Sequence, residues 1–331
     1  MNKSRVMPFG YMADSFNEVA ASHALPTAWR GTPAEFDAWL DKRMRDIRDA
    51  AWPEWNRAPR EWEGKAEKTG IDLTKADLGL MMNLANAHYD PSRQDTELNN
   101  WWFWKEDELF KDDFGVERFD RVLGADVLNQ RRAKSFTDGG SDKLAGSVGW
   151  LLKDRLQRPR AHQMAYWLGL KRPNYKLAWS AWSASAISGH SFQGLLACLK
   201  VYLDGLPWTA EQEKKLLELA VDIGDRRVFA GVHYPSDNAL SWSVALHLVD
   251  YIGADKAQES LMRQFIVNAI QTSRVYTAMQ SSPVHASCLG LLSPWVTVSA
   301  KRGPVKPGNK GVALAPRNAG NAVRKVRGER R

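Results

Sequence analysis

The 331-residue chain has no apolar run long enough to span a bilayer. Its best candidate, beginning at Gly194, is interrupted by Lys200 and closed by Asp204, whereas a spanning helix needs about 20 apolar residues. The opening stretch from Met1 to Gly10 has no apolar segment of secretory length, so the expectation is a soluble, cytoplasmic protein. Cysteine is scarce. Cys198 and Cys288 are the only two, and they stand far apart among apolar neighbours. That excludes a disulfide framework and fits buried thiols in a reducing compartment. No His-Glu-x-x-His or clustered-Cys pattern is present, so no metal site is expected. Alternating strand patterns are rare and no fixed-period repeat occurs, which argues against all-β and solenoid architectures.

What is present is apolar and helical. Hydrophobic residues make up 44% of the chain, enough for a substantial core, and 15 tryptophans are spread from Trp29 to Trp295 and so mark no single site. The net charge of +8 comes from the end of the chain. Residues 301–331 hold ten Lys/Arg against Glu329 alone, which leaves the rest at −1. This tail lacks apolar periodicity. It is expected to be disordered, and any role would be salt-sensitive contact with nucleic acid or another polyanion.

Helix signals recur. Thr32-Pro-Ala-Glu35 reads as a capping box ahead of a helix over 33–50. Further helices are predicted over 74–88, 142–156, 188–203, 209–224, 236–252 and 255–272. Trp101-Trp-Phe-Trp104 reads as an aromatic anchor. The predicted organisation is a mainly helical N-terminal extension (1–135), a helical core (136–299) and the basic tail (300–331).

Three pieces carry chemistry. In Arg227-Val-Phe-Ala-Gly-Val-His233-Tyr-Pro-Ser-Asp237, Pro235 suits the first turn of a helix. That puts Asp237 within reach of one His233 ring nitrogen and leaves the other nitrogen to attack. Arg227 offers a planar fork for phosphoryl oxygens. Ser188-Gly189-His190 opens a helix, where unpaired backbone N–H groups favour anions. There Gly189 permits close approach and His190 is placed to act as general acid. Lys153 and Arg158 stand at a helix end closed by Pro159, two cations that could address one anion.

In this order the pieces resemble the superfamily of type 2 phosphatidic acid phosphatases, bacterial non-specific acid phosphatases and vanadium haloperoxidases. The family pattern is Lys-x6-Arg-Pro, Pro-Ser-Gly-His and Ser-Arg-x5-His-x3-Asp. Arg227-x5-His233-x3-Asp237 matches in full. Three departures stand out: four residues, not six, separate Lys153 from Arg158-Pro159; Ile187 stands for the proline before Ser188; and Arg226 stands for the serine before Arg227. The likeness covers about residues 140–252. It implies an all-α helical bundle of the acid phosphatase/vanadium haloperoxidase type and a soluble, metal-independent phosphatase acting on phosphomonoesters or pyrophosphate-type substrates. In that scheme Lys153, Arg158, Arg227, Ser188 and Gly189 hold the phosphoryl group. His233 attacks to give a phosphohistidine, His190 protonates the leaving oxygen and Asp237 holds His233. The resemblance implies no metal cofactor, with vanadate as an inhibitor. The alternatives are a vanadium-dependent haloperoxidase, with vanadate as cofactor on the same cradle, and a non-catalytic protein that keeps the fold and binds a polyanion through its tail.

Overall fold

The computed structural model describes residues 29–51, 69–88, 140–170, 183–204 and 207–300. All regular structure among them is helical. In chain order the helices are α1 (Pro33–Ala51), α2 (Thr69–His88), α3 (Gly140–Leu156), α4 (Ala161–Trp167), α5 (Gly189–Asp204), α6 (Ala210–Phe229), α7 (Pro235–Ile252), α8 (Lys256–Thr272), α9 (Arg274–Gln280), α10 (Ala286–Gly290) and α11 (Ser293–Ala300). A 3-10 turn at Pro283–His285 separates α9 from α10. The predicted Trp101–Trp104 anchor and the basic tail lie outside the described residues. No described helix is long and apolar enough to cross a membrane.

Helix α7 forms the centre because its sequence leaves it no polar face. Every residue from Pro235 to Leu246 is buried, including Leu240, Trp242 and Val244. Helix α5 packs on α7, α3 and α6, and α8 covers α6 and α7. Phe192, Leu195 and Leu199 of α5 meet the same core as Leu216, Ile223 and Phe229 of α6. Each such side chain contributes about 1.5–3 kcal/mol of transfer free energy.

The α5–α6 contact is close because glycines make it so. A Cβ on Gly224 would lie 2.7 Å from the Ser191 side chain, and one on Gly194 would lie 3.1 Å from Ile223. The sequence suggests that α6 stops near Gly224, but the helix continues to Phe229. Gly224 serves a helix crossing rather than a helix end, so Arg226 and Arg227 belong to the last helical turn.

The predicted capping box matches the structure. Glu35 accepts from the Thr32 backbone N–H at 2.6 Å while Thr32 Oγ1 accepts from Glu35 N at 3.2 Å. Thr209 and Gln212 do the same for α6. Helix α1 docks through aromatics: Trp29 stacks on Tyr251 of α7 with ring centroids 4.0 Å apart, and Phe36 and Trp39 close around the pair. Helix α2 packs on α6, α7 and the 3-10 turn, bringing Asp77 into the interior.

Candidate active site

The spacing Arg227-x5-His233-x3-Asp237 has a local structural meaning. Helix α6 ends at Phe229, and Gly231 takes φ 74°, a left-handed conformation that reverses the chain cheaply only for glycine. The Arg227 carbonyl then accepts from Val232 N at 3.0 Å and His233 N at 3.3 Å. Tyr234 caps α7, with Pro235 in its first turn. The Asp237 carboxylate reaches back to Tyr234 N at 3.1 Å and to His233 Nδ1 at 3.1 Å. One carboxylate thus holds both the helix start and the imidazole.

The tautomer follows from the partners. A carboxylate only accepts, so the shared hydrogen is on Nδ1; an arginine only donates, so Nε2 accepts from Arg160 Nη1, 3.0 Å away. His233 is therefore a neutral ring whose nucleophilic nitrogen faces a guanidinium. Burial, followed by the Arg160 charge, holds its pKa well below the ordinary histidine value.

The residues divide into two sets around this ring. On the Nε2 side stands Arg160, and Lys153 and His190 belong to the same buried cluster. Lys153, in the last turn of α3, is 5% exposed and donates to the carbonyls of Ala184 at 2.5 Å and Ser185 at 3.2 Å. No carboxylate lies within ion-pair distance of it among the described residues. Burial and the neighbouring Arg160 push its pKa well below the usual lysine value. His190 is buried and held down to about 3, by desolvation first and then by Arg226, Lys153 and Arg160. Arg160 also donates to the Ser183 and Val232 carbonyls at 2.7 and 2.9 Å. Its own backbone N–H is capped by Gln163 at 2.8 Å, at the start of α4.

On the Nδ1 side stands Arg158, expected from the sequence to bind phosphate. Its guanidinium is fully buried and points the other way. Nη1 donates to Asp237 Oδ1 at 2.6 Å and Ser236 Oγ at 2.8 Å, and Nη2 donates to Asp77 Oδ2 at 2.9 Å. Its plane lies over the Tyr234 ring, 3.8 Å from the centroid. Burial works against both charges of the Arg158–Asp237 pair. Asp237 and Asp77 outweigh it for the arginine, and Arg158 and His233 outweigh it for Asp237, whose pKa falls well below the usual carboxylate range. Ser185 Oγ adds a further donor to Asp237 at 2.5 Å.

The Ser188 segment joins the two sets. Ser188 is fully buried and precedes α5, its hydroxyl oxygen accepting from Ser191 N at 3.3 Å. Its carbonyl accepts from Ser241 of α7 at 3.0 Å, which fixes the α5 N-terminus beside the His–Asp pair. Gly189 has space: an added Cβ would find the Gln193 side chain at 3.7 Å among the described residues. Packing among the described residues therefore does not demand a glycine there. Arg227 is buried in the last turn of α6, and desolvation lowers its pKa to about 9. One residue before Arg226, the buried Asp225 accepts from Ser273 Oγ at 2.8 Å and Arg274 N at 2.8 Å, tying that turn to the start of α9. Desolvation pushes its pKa up to about 7.

Sequence reasoning passed over Arg160 and Asp77. Arg160 had a signal: six residues separate it from Lys153, the interval of the family pattern, whereas Arg158 carries only that pattern's proline. Asp77 had none, since nothing near it in the chain marks an acid that meets Arg158 across 81 positions. No protein-family model, no curated protein and no solved structure matches the chain.

Proposed function

We propose that this protein is a metal-independent phosphatase of the phosphatidic acid phosphatase/haloperoxidase type, with the corresponding helical bundle, and that it hydrolyses phosphomonoesters or pyrophosphate-type substrates through a phosphohistidine. Lys153 carries the reading. It is a buried ammonium with only carbonyl partners, next to a neutral histidine whose attacking nitrogen faces an arginine. Burying a cation with no carboxylate paired to it is costly, Asp237 offsets that cost only from a distance, and an oxyanion bound between Lys153 and Arg160 would relieve it.

Each group then has one task. Lys153, Arg160 and Arg227 neutralise the phosphoryl oxygens, with Ser188 Oγ–H and the Gly189 N–H as further donors. As the anion binds, the Arg160 N–H shifts from His233 Nε2 to a phosphoryl oxygen and uncovers the lone pair. Nε2 forms the N–P bond as the P–O bond to the leaving group breaks, and Asp237 stabilises the ring cation that results. His190 gives a proton to the leaving oxygen. The dianion raises the low pKa of His190 by offsetting the cations that depress it, so His190 takes up its proton together with substrate. Water, deprotonated by His190, then breaks the N–P bond and releases phosphate. Arg158 replaces no cation of the cradle in this scheme; it holds Asp237.

A broad phosphoester panel over several pH values, assayed in the presence of EDTA, tests the proposal. Activity should persist in the chelator, vanadate should inhibit competitively, and His233→Ala should lower kcat by roughly a thousandfold or more. An active His233→Ala variant would remove the assigned nucleophile. Halide oxidation with vanadate and peroxide, without phosphate release from any ester, would transfer the cradle to haloperoxidase chemistry.

A further inference from the structure

Asp77 and His285 lie outside every motif considered so far, yet both end inside the site. Both are completely buried. Asp77 comes from α2 and His285 from the 3-10 turn after α9. His285 Nε2 lies 2.9 Å from Asp77 Oδ1, and its Nδ1 lies 2.7 Å from Ser282 Oγ. Asp77 also accepts from the Ser236 backbone N–H at 3.1 Å and from the Ser236 hydroxyl. A continuous buried chain results, His285–Asp77–Arg158–Asp237–His233, with one carboxylate on each side of one guanidinium.

We propose that Asp77, Arg158 and His285 are positioning residues, an internal brace that orients Asp237 behind His233 while cancelling the charge that Arg158 would otherwise impose on the ring. The proposal rests on the phosphohistidine reading above. Attack by Nε2 with the proton retained on Nδ1 leaves a cationic phospho-imidazolium, which Asp237 must stabilise. Arg158 alone would fix Asp237 but oppose that cation. Asp77 neutralises Arg158, so orientation is gained without a net positive charge behind the ring. The other charges facing His233 are Arg160 and Lys153 from the α3–α4 segment, with His190 of α5 across the same cluster.

This arrangement predicts opposite signs for two variants. Removing the cation (Arg158→Met) leaves Asp237 less balanced and raises the pH at which His233 protonates by about one unit or more. Removing the anion (Asp77→Asn) leaves Arg158 less balanced and lowers that pH. The ring is read by NMR of 15N-histidine-labelled full-length protein, with His233→Asn identifying the signal, so this measurement needs no turnover. Asp77→Asn should also lower kcat roughly tenfold while inorganic phosphate and vanadate bind within threefold of wild type. Should Arg158→Met fail to fold, the Asp77→Asn/Arg158→Met double variant removes one charge of each sign and should show a smaller upward shift. The isosteric Asp77→Asn variant also decides the matter by itself, through its split between kcat and anion affinity. Shifts of the same sign in the two variants, or no shift in either, would overturn the brace. So would phosphate binding weakened tenfold or more, which would return Arg158 to the cradle. In each of these cases an inactive His233→Ala variant would leave the phosphatase reading standing. A wild type inactive on every ester would remove that reading while the ring titration still judged the brace.

Discussion

The two sides of the His233 ring deal with buried positive charge in opposite ways. Behind Nδ1, Arg158 is held by Asp77 and Asp237, so this buried cation has its counter-charges within the protein. On the other side, Lys153 has only carbonyl oxygens, and His233 and His190 are kept neutral by burial first and then by the cations around them. A buried ion survives if it is paired, or if something else supplies the missing charge. The arginine has its counter-ions as folded, whereas the lysine has no carboxylate within ion-pair distance among the described residues, which is the feature the proposed anion site uses. That contrast separates the paired arginine from the unpaired lysine more clearly than sequence position does, since both stand near the end of α3.

The contrast is tested hardest by removing one cation from each side. Arg158→Met leaves two buried carboxylates facing each other and should destabilise the protein by about 3–5 kcal/mol. Lys153→Met removes a desolvated charge that has no carboxylate partner and should leave stability unchanged or raise it by about 1 kcal/mol, while weakening phosphate and vanadate binding. Urea unfolding of both variants without added anion checks this; equal losses of stability would erase the distinction between the sides.

Acid sharpens it next. His190 protonates near its ordinary value of 6.5 when unfolded and at about 3 when folded. Below pH 6.5 the unfolded chain therefore binds the extra proton. The His190 contribution leaves stability intact above that pH and removes about 1.4 kcal/mol per pH unit as pH falls towards 3. His190→Gln lacks this term, so its stability relative to wild type should improve steadily from pH 6.5 downwards. Measuring the difference between the two proteins cancels the opposite slope expected of Asp225, whose raised pKa makes its proton a native-state one. A constant difference across that range would mean that His190 is not held neutral by its surroundings.

The smallest effect concerns two glycines. Gly224→Ala should cost about 1–3 kcal/mol, because its Cβ would meet Ser191 behind the site. Gly189→Ala, whose Cβ meets ordinary contact distance only, should leave stability unchanged or raise it by under about 1 kcal/mol, yet reduce activity. Thermal unfolding alongside turnover tells packing from approach: a Gly189→Ala variant with full activity would take Gly189 out of the cradle.

Much of this was legible along the chain because it is local. Capping boxes, the proline of α7's first turn and an i,i+4 His–Asp pair depend on residues within one helical turn of each other, and the sequence located them correctly. The end of α6 was not legible, because the glycine that resembles a stop is required by Ser191 on a different helix. The identity of the site cations was not legible either. Arg158 and Arg160 flank one proline, and local propensity does not distinguish them.

The amino-acid sequence by itself determined that the described residues are mainly helical, where most of their helices begin, and which histidine is held by which carboxylate. Only the tertiary structure decided which arginine faces the His233 Nε2 and which is locked behind the ring. The physical reason is range. Capping and helix periodicity act across a few residues, whereas the partner of a buried charge is set by whichever carboxylate packing delivers, and here Asp77 arrives from a helix 81 positions away.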